Sequence, residues 1–262
     1  MATPQASIDP RITLNSKGGY RFLPGIEPYS SGVIAEPGFE ICHVTLMRPL
    51  AWHDGLQSAR RYMESINLTQ HAICGVELRC PAPHTMDGFI DFNRDYRALL
   101  NEWDIPVTGE NPVARTNVSP VESPPDETTL FGFSYAKPSD TDATTFVIAG
   151  GGELPTRKLD EQRIVRLGEV TPEAMLEKAR CVVDIMRTRL EGLGAIDEQL
   201  TIIDVYTAHD LRASLAEILI PGIPAAAGVG IRWFYTRPPI VNIEFEMDMR
   251  GVRRELVLDL KL

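Results

Sequence analysis

The chain is poor in the residues that carry the most easily recognised chemistries. It has four cysteines, Cys42, Cys74, Cys80 and Cys181, and none stand in CxxC spacing. That removes a disulfide framework, a zinc ribbon and a dithiol redox centre, and leaves buried free thiols as the reading. Its five histidines, His43, His53, His71, His84 and His209, form no HxH or HxxxH pair, and no acidic cluster has ligand spacing, so no metal is expected. The run Gly150–Gly152 is followed by no Gly-Lys-Ser/Thr, there is no GxGxxG, and no G-x-S-x-G elbow occurs. No cofactor is expected. No apolar run reaches bilayer length and the first residues hold no signal-like core, so a cytoplasmic protein without a membrane partner is the expectation. Basic residues are also short: 26 Lys and Arg against 36 Asp and Glu give a net charge of −10. With no dense basic run to meet a phosphate backbone, nucleic acid is disfavoured as a partner. The tightest cluster, Arg250 with Arg253 and Arg254, reads as a turn.

What is present is a soluble composition, 44% hydrophobic and 24% charged, and an order of elements stated twice. The first half runs through strand-like Phe39–Thr45, helical Ala51–Asn67, strand-like His71–Arg79, helical Asp87–Asn101, and strand-like Arg115–Val121 and Thr128–Ala136. The second repeats that order through Phe146–Gly150, Thr171–Leu193, Leu200–Thr207, His209–Ile218, Ile231–Tyr235 and Ile240–Asp248. Such an offset is too long for a solenoid and points to a duplicated domain. The strongest helix is Thr171–Leu193: an N-cap threonine, Pro172 at the first turn, an apolar stripe from Met175 to Leu190, and glycines at the end.

Each half therefore reads as β-β-α-β-α-β-β, an α+β unit with helices on one face of a mixed sheet. Residues 1–25 read as a polar N-terminal arm, 26–138 as a first domain and 139–262 as a second, joined through the polar Ala136–Thr144. A second polar stretch, Pro155–Arg163, interrupts the second half, and Arg253–Leu260 reads as an added C-terminal strand.

Two segments carry a resemblance. Phe89-Ile90-Asp91-Phe92-Asn93-Arg94-Asp95-Tyr96 places F-x-x-F-N-x-x-Y on a helix, and Pro112-Val113-Ala114-Arg115-Thr116-Asn117-Val118 opens the next strand. Together they resemble the Rid (YjgF-type) family of reactive imine/enamine deaminases. In the second half, Val205–Leu211 resembles that family's strand-to-helix junction, and Ile243–Glu246 its last strand. The resemblance implies two chorismate-mutase-like Rid-type domains in tandem, a homotrimeric ring with clefts between neighbours, and hydrolysis of 2-imino acids or their enamines.

It also implies site residues. Arg115 stands where the family grips a substrate carboxylate, a task that suits a planar guanidinium with paired donors; otherwise it is an ordinary ion-pair arginine. Asn117 shares its strand face and replaces the family's frequent cysteine. Tyr29 lies in a Pro-Tyr-Ser segment like the one lining the family's pocket. Cys42, beside His43, falls where the family has Ser-Gly, and reads more readily as a core thiol than as a pocket residue. Glu244 matches the family's last-strand glutamate, and Glu246 on the same face reads as a solvated residue of an edge strand. Arg232 is the best counterpart of Arg115 in the second half. Arg115 and Glu244 thus form an expected composite catalytic pair, with Tyr29, Asn117, Cys42 and Arg232 as expected substrate contacts.

The function implied is cofactor-independent hydrolytic deamination of a small carboxylate-bearing imine or enamine to a keto acid and ammonia. Two alternatives stand beside it: a ring-cleavage deaminase of the 2-aminomuconate type, and a non-catalytic ligand-binding or regulatory protein.

Overall fold

The computed structural model describes residues 12–155 and 159–261. The stretch Pro155–Arg163 and the polar arm therefore lie partly outside the described residues. In chain order the first half holds β1 (Thr13–Asn15), β2 (Tyr20–Leu23), β3 (Gly32–Ala35), β4 (Phe39–Ala51), α1 (Trp52–Ser65), β5 (Ile73–Arg79), α2 (Met86–Glu102), β6 (Ala114–Pro120) and β7 (Thr129–Pro138). The second holds β8 (Phe146–Gly152), α3 (Pro172–Leu193), β9 (Ile202–Tyr206), β10 (Arg232–Phe234), β11 (Thr236–Arg237), β12 (Glu246–Gly251) and β13 (Glu255–Leu258).

Local signals account for the helices. Thr171 accepts a hydrogen bond from Ala174 N at the start of α3, and Gly194 closes it in the left-handed conformation at φ 74°. Thr85 caps α2 in the same way by accepting from Gly88 N. The expected helix His209–Ile218 is the one that fails: a helical run begins at Arg212, loosens into a π-turn over Leu215–Leu219 and ends at Gly222.

The strands form two mixed sheets, ordered β11-β6-β5-β7-β4-β13 and β1-β2-β3-β8-β12-β9-β10. Helices α1 and α2 cover the outer face of the first through Leu56, Met63, Tyr96 and Leu99, packed on Val44, Val76 and Leu78. Helix α3 covers the outer face of the second through Val182, Met186 and Leu190 against Ile148, Ile203 and Met247. The architecture is thus α+β, with helices outside and the two sheets face to face.

The halves exchange their ends. Strand β3, before β4, pairs with β8 in the second sheet, and β2 pairs with β3 beside it. Strand β13, at the other end of the chain, lies parallel to β4 in the first. Residues 13–23, read from their polar flanks as an arm, are thus a hairpin whose Tyr20, Phe22 and Leu23 are fully buried. The C-terminal strand exists where its alternation placed it, but it extends the first sheet.

Between the sheets the core is apolar at one end, with Tyr20, Phe22, Val33, Ile41, Cys74 and Ala149. Elsewhere that layer is charged. Met247 and Met249 point to α3, so strand alternation sends Glu246, Asp248 and Arg250 inward. Arg250 Nη1 donates to Glu77 and to Asp204, both at 3.2 Å, and its Nε donates to Glu255 at 2.7 Å. This arginine, expected in a turn, is instead the hub of a buried network joining the two sheets.

Candidate active site

Helix α2 delivers Phe89, Phe92, Asn93 and Tyr96 on one face, since their spacing is close to two helical turns. That face packs beside Arg115 on β6. The Arg115 guanidinium lies 4.5 Å from the Tyr96 ring centroid, 4.8 Å from Tyr29, 5.5 Å from Phe92 and 5.6 Å from Phe89. Its Nη2 donates to Asn93 Oδ1. Only 3% of Arg115 is exposed, yet no carboxylate pairs with it among the described residues, and Nη1 is buried without a partner. A buried guanidinium without an anion is costly, and one held in place by a neutral amide and four rings is shaped to receive one.

Arg115 lines a cleft of about 970 Å³ together with Tyr29, Asn117, Phe89, Gly150–Gly152, Glu246, Ile240, Ile243 and the α3 residues Glu177, Arg180, Cys181 and Arg189. Asn117 is 3% exposed, and both atoms of its amide lack partners among the described residues. Tyr29 is pushed above the usual phenol range by burial, with the Arg115 charge opposing. Tyr96 is pushed up to about 12 by burial and remains a neutral phenol.

The buried carboxyl group of this cleft is Glu246. Burial first, and then the neighbouring Asp248, push it well above the usual carboxylate range, against the opposing charges of Arg189 and Arg115. Glu246 opens β12 and lies over Gly150, where an added Cβ would collide with Glu246 Oε1 and press on Thr116. The glycine run on β8 thus makes room: Gly150 for Glu246, Gly151 for Arg189 and Gly152 for Ile243. Upstream, Glu153 accepts from the backbone N–H of Glu244 at 2.7 Å and of Phe245 at 3.0 Å, while Lys178 Nζ donates to it at 3.0 Å. This buried pair fixes the entry to β12 and so the placement of Glu246.

Three expected site residues lie elsewhere. Glu244 precedes β12, where its Oε2 accepts from His209 Nε2 at 2.9 Å, with Arg237 at 3.8 Å. The segment expected as one strand over Ile240–Asp248 has a turn at Asn242, φ 72°, and becomes a strand only from Glu246, so Glu244 lies ahead of the ladder with its side chain on His209 rather than in the cleft. Cys42 is fully buried against α1 and the outer face of its sheet. Its neighbour His43 points the other way, to Ser134 at 3.0 Å. Arg232 is committed to Asp204, Nε to Oδ1 at 2.6 Å and Nη2 to Oδ2 at 2.5 Å. Of the expected set, the structure brings Arg115, Tyr29 and Asn117 together and adds Glu246, Asn93, Phe89 and Arg189. Asn93 and Phe89 were legible in the helix motif; Arg189 carried no local signal.

Glu77, Asp204 and Asp248 also offer carboxylate oxygens within 4.8 Å of one another. Arg250 reaches into that group, so guanidinium charge already compensates it.

The family model described as "2-aminomuconate deaminase CnbZ" matches residues 12–256. The 2-amino-5-chloromuconate deaminase of Comamonas testosteroni is 38% identical over 255 residues, covering 95% of this chain and all of that protein. The chain belongs to the CnbZ 2-aminomuconate deaminase family, and the Rid-like deaminase resemblance read from its motifs stands with it. Among solved structures, a chorismatase matches with a TM-score of 0.44 at 13% identity, covering 87% of this chain and 79% of its own. The YjgF gene product of E. coli matches 42% of this chain and 81% of its own, with a TM-score of 0.30 at 18% identity. Among the described residues, no helix is long and apolar enough to cross a membrane.

Proposed function

We propose that the Arg115–Glu246 cleft deaminates an aminomuconate-type substrate, an unsaturated acid bearing an enamine or imine beside a carboxylate, by hydrolysis to the keto acid and ammonia. The observation that carries this reading is the buried Arg115 guanidinium with Nη1 open and no ion-pair partner among the described residues. The family relationship supplies the reaction class.

The chain's own groups suffice for the steps. Arg115 binds the carboxylate next to the reacting carbon, and the ring cage excludes water from that contact. Asn117 offers both a donor and an acceptor to the substrate's nitrogen or carboxylate. Glu246, whose burial favours the protonated form, gives its proton to the enamine carbon, and the double bond shifts to C=N. The resulting carboxylate takes a proton from water as the oxygen attacks that carbon, and the carbinolamine then expels ammonia. No net proton or electron is left over.

The same reading extends to assembly. The repeated order of elements, with a helix-covered outer face on each sheet, supports a tandem pair of Rid-type domains, and the resemblance implies a homotrimer. Light scattering at the exit of a sizing column should give three times the chain mass.

The direct test is incubation with 2-aminomuconate, followed by loss of dienamine absorbance and stoichiometric ammonia. No ammonia from it, and no protection of oxidase-generated imino acids from semicarbazide, would favour a ligand-binding protein instead.

A further inference from the structure

The steps above use Glu246 but not the carboxyl two residues further along its strand. Asp248 lies on the same inward face of β12, and both side chains are buried between the sheets. Asp248 does not line the cleft, so it reaches no substrate itself. Two hydroxyls from other strands hold it. Tyr206 on β9 donates to Asp248 Oδ2 at 2.9 Å, and Thr116 on β6 donates to the same oxygen at 2.7 Å. Thr116 also borders Glu246, since both crowd the Cα of Gly150.

These contacts give the two acids different roles. Two donors on one oxygen favour the ionised form of Asp248. A proton on the other oxygen would find no acceptor, because Oδ1 is buried with no partner among the described residues. Two buried carboxyls on one strand face cannot both ionise cheaply, so the proton belongs to Glu246.

The remaining charges around the pair come from several elements. Burial, then Asp204 on β9 and Glu77 on β5, push Asp248 up, while Arg250 on its own strand and the Thr116 hydroxyl oppose them. Glu246 faces Arg189 on α3, Glu153 after β8 and Arg115 on β6, with the Tyr29 phenol and the Cys80 thiol nearby. After burial, Asp248 is the largest influence on Glu246.

We propose that Asp248 is a positioning residue for deamination: its carboxylate, fixed by Tyr206 and Thr116, keeps the proton of the pair on Glu246, at the substrate. This rests on reading Glu246 as the acid of the cleft.

Difference infrared spectra of the full-length protein across pH test it without turnover. Wild type should show a protonated-carboxyl band at neutral pH that is absent from Glu246→Gln. In Asp248→Asn, which keeps an oxygen for the two hydroxyls, that band should disappear about one pH unit or more lower, because the like charge is gone. The alkaline fall in kcat should move down with it, with KM within about threefold. Tyr206→Phe, which keeps the ring and removes one donor, guards against loss of fold and should shift the band the same way by less. A band that titrates as in wild type in both variants, or one that survives Glu246→Gln and vanishes in Asp248→Asn, overturns the assignment. The deaminase reading fails separately: if the band moves as described but no ammonia is released from 2-aminomuconate, the acid pair stands and the chemistry does not.

Discussion

Asn93 accepts a hydrogen bond from one end of the Arg115 guanidinium, Nη2, and leaves the other end, Nη1, buried with no partner among the described residues. The amide aims the charge without neutralising it. A carboxylate in the same place would have satisfied Arg115 and closed the site to an anionic substrate.

That relationship predicts the behaviour of Asn93→Asp. The new carboxylate should pair with Arg115 and compete with substrate, raising KM by about tenfold or more, as loss of a charge-assisted contact does. The fold should be retained or made more stable. Steady-state kinetics with a melting curve on the same preparation checks both, and an unchanged KM would remove Asn93 from the account.

Arg115→Met should abolish turnover without weakening the protein. Removing an unpaired buried charge in favour of an apolar side chain of similar length is neutral to stabilising, by about 1–4 kcal/mol where such exchanges have been made. Urea denaturation should therefore show an equal or higher midpoint. A loss of several kcal/mol would mean that Arg115 is a structural arginine.

Glu246→Gln removes the proton donor, and kcat should fall ~10²–10⁴-fold. The sign of the pH effect follows from its raised pKa. Above roughly pH 4.3, where the unfolded carboxyl has lost its proton, the folded protein still holds it. The native state then binds more protons than the unfolded one, so this group's contribution to stability falls as pH rises until the folded pKa is passed. Urea midpoints measured across pH should decline less steeply for Glu246→Gln, and the alkaline fall in wild-type kcat should report the same group. A variant with the wild-type slope would show that Glu246 is ionised throughout.

Gly150→Ala brings a methyl group against Glu246 Oε1 and Thr116. Activity should fall further than stability, because the carboxyl is displaced while most of the surrounding core is kept. By contrast Arg232→Ala should leave kcat/KM within about threefold and lower the melting temperature, since it leaves the buried Asp204 without its closest charge. The reverse pattern in either variant would contradict the placement of these residues.

Much of this was legible in the chain, and the pattern of success has physical causes. The three long helices were readable because apolar periodicity is a local signal, and α3 also begins on the threonine cap and ends on the glycine the sequence offered. Arg115 and the helix motif were each readable because their residues stand at fixed spacing, but that the motif's rings surround Arg115 is a matter of packing that neither motif specifies. Glu246 was read as a solvated residue of an edge strand because alternation gives a face but not the neighbours: β12 lies between β8 and β9, and the face that Glu246 shares with Asp248 and Arg250 is buried. The exchange of terminal strands is a choice of partner, which no local pattern specifies. Arg250 read as part of a turn for a related reason: its partners Glu77 and Asp204 lie 173 and 46 residues away. Arg189 gave no signal, since only the carbonyls and glycines of β8 distinguish it from other α3 arginines.

The central claim is that the open end of Arg115 receives the substrate carboxylate for deamination. Its most direct measurement is ammonia release from 2-aminomuconate by wild type and by Arg115→Met at matched, verified fold. The account predicts turnover by wild type and none above background by the variant, with the melting temperature unchanged or raised. Undiminished ammonia release from the folded variant would contradict it.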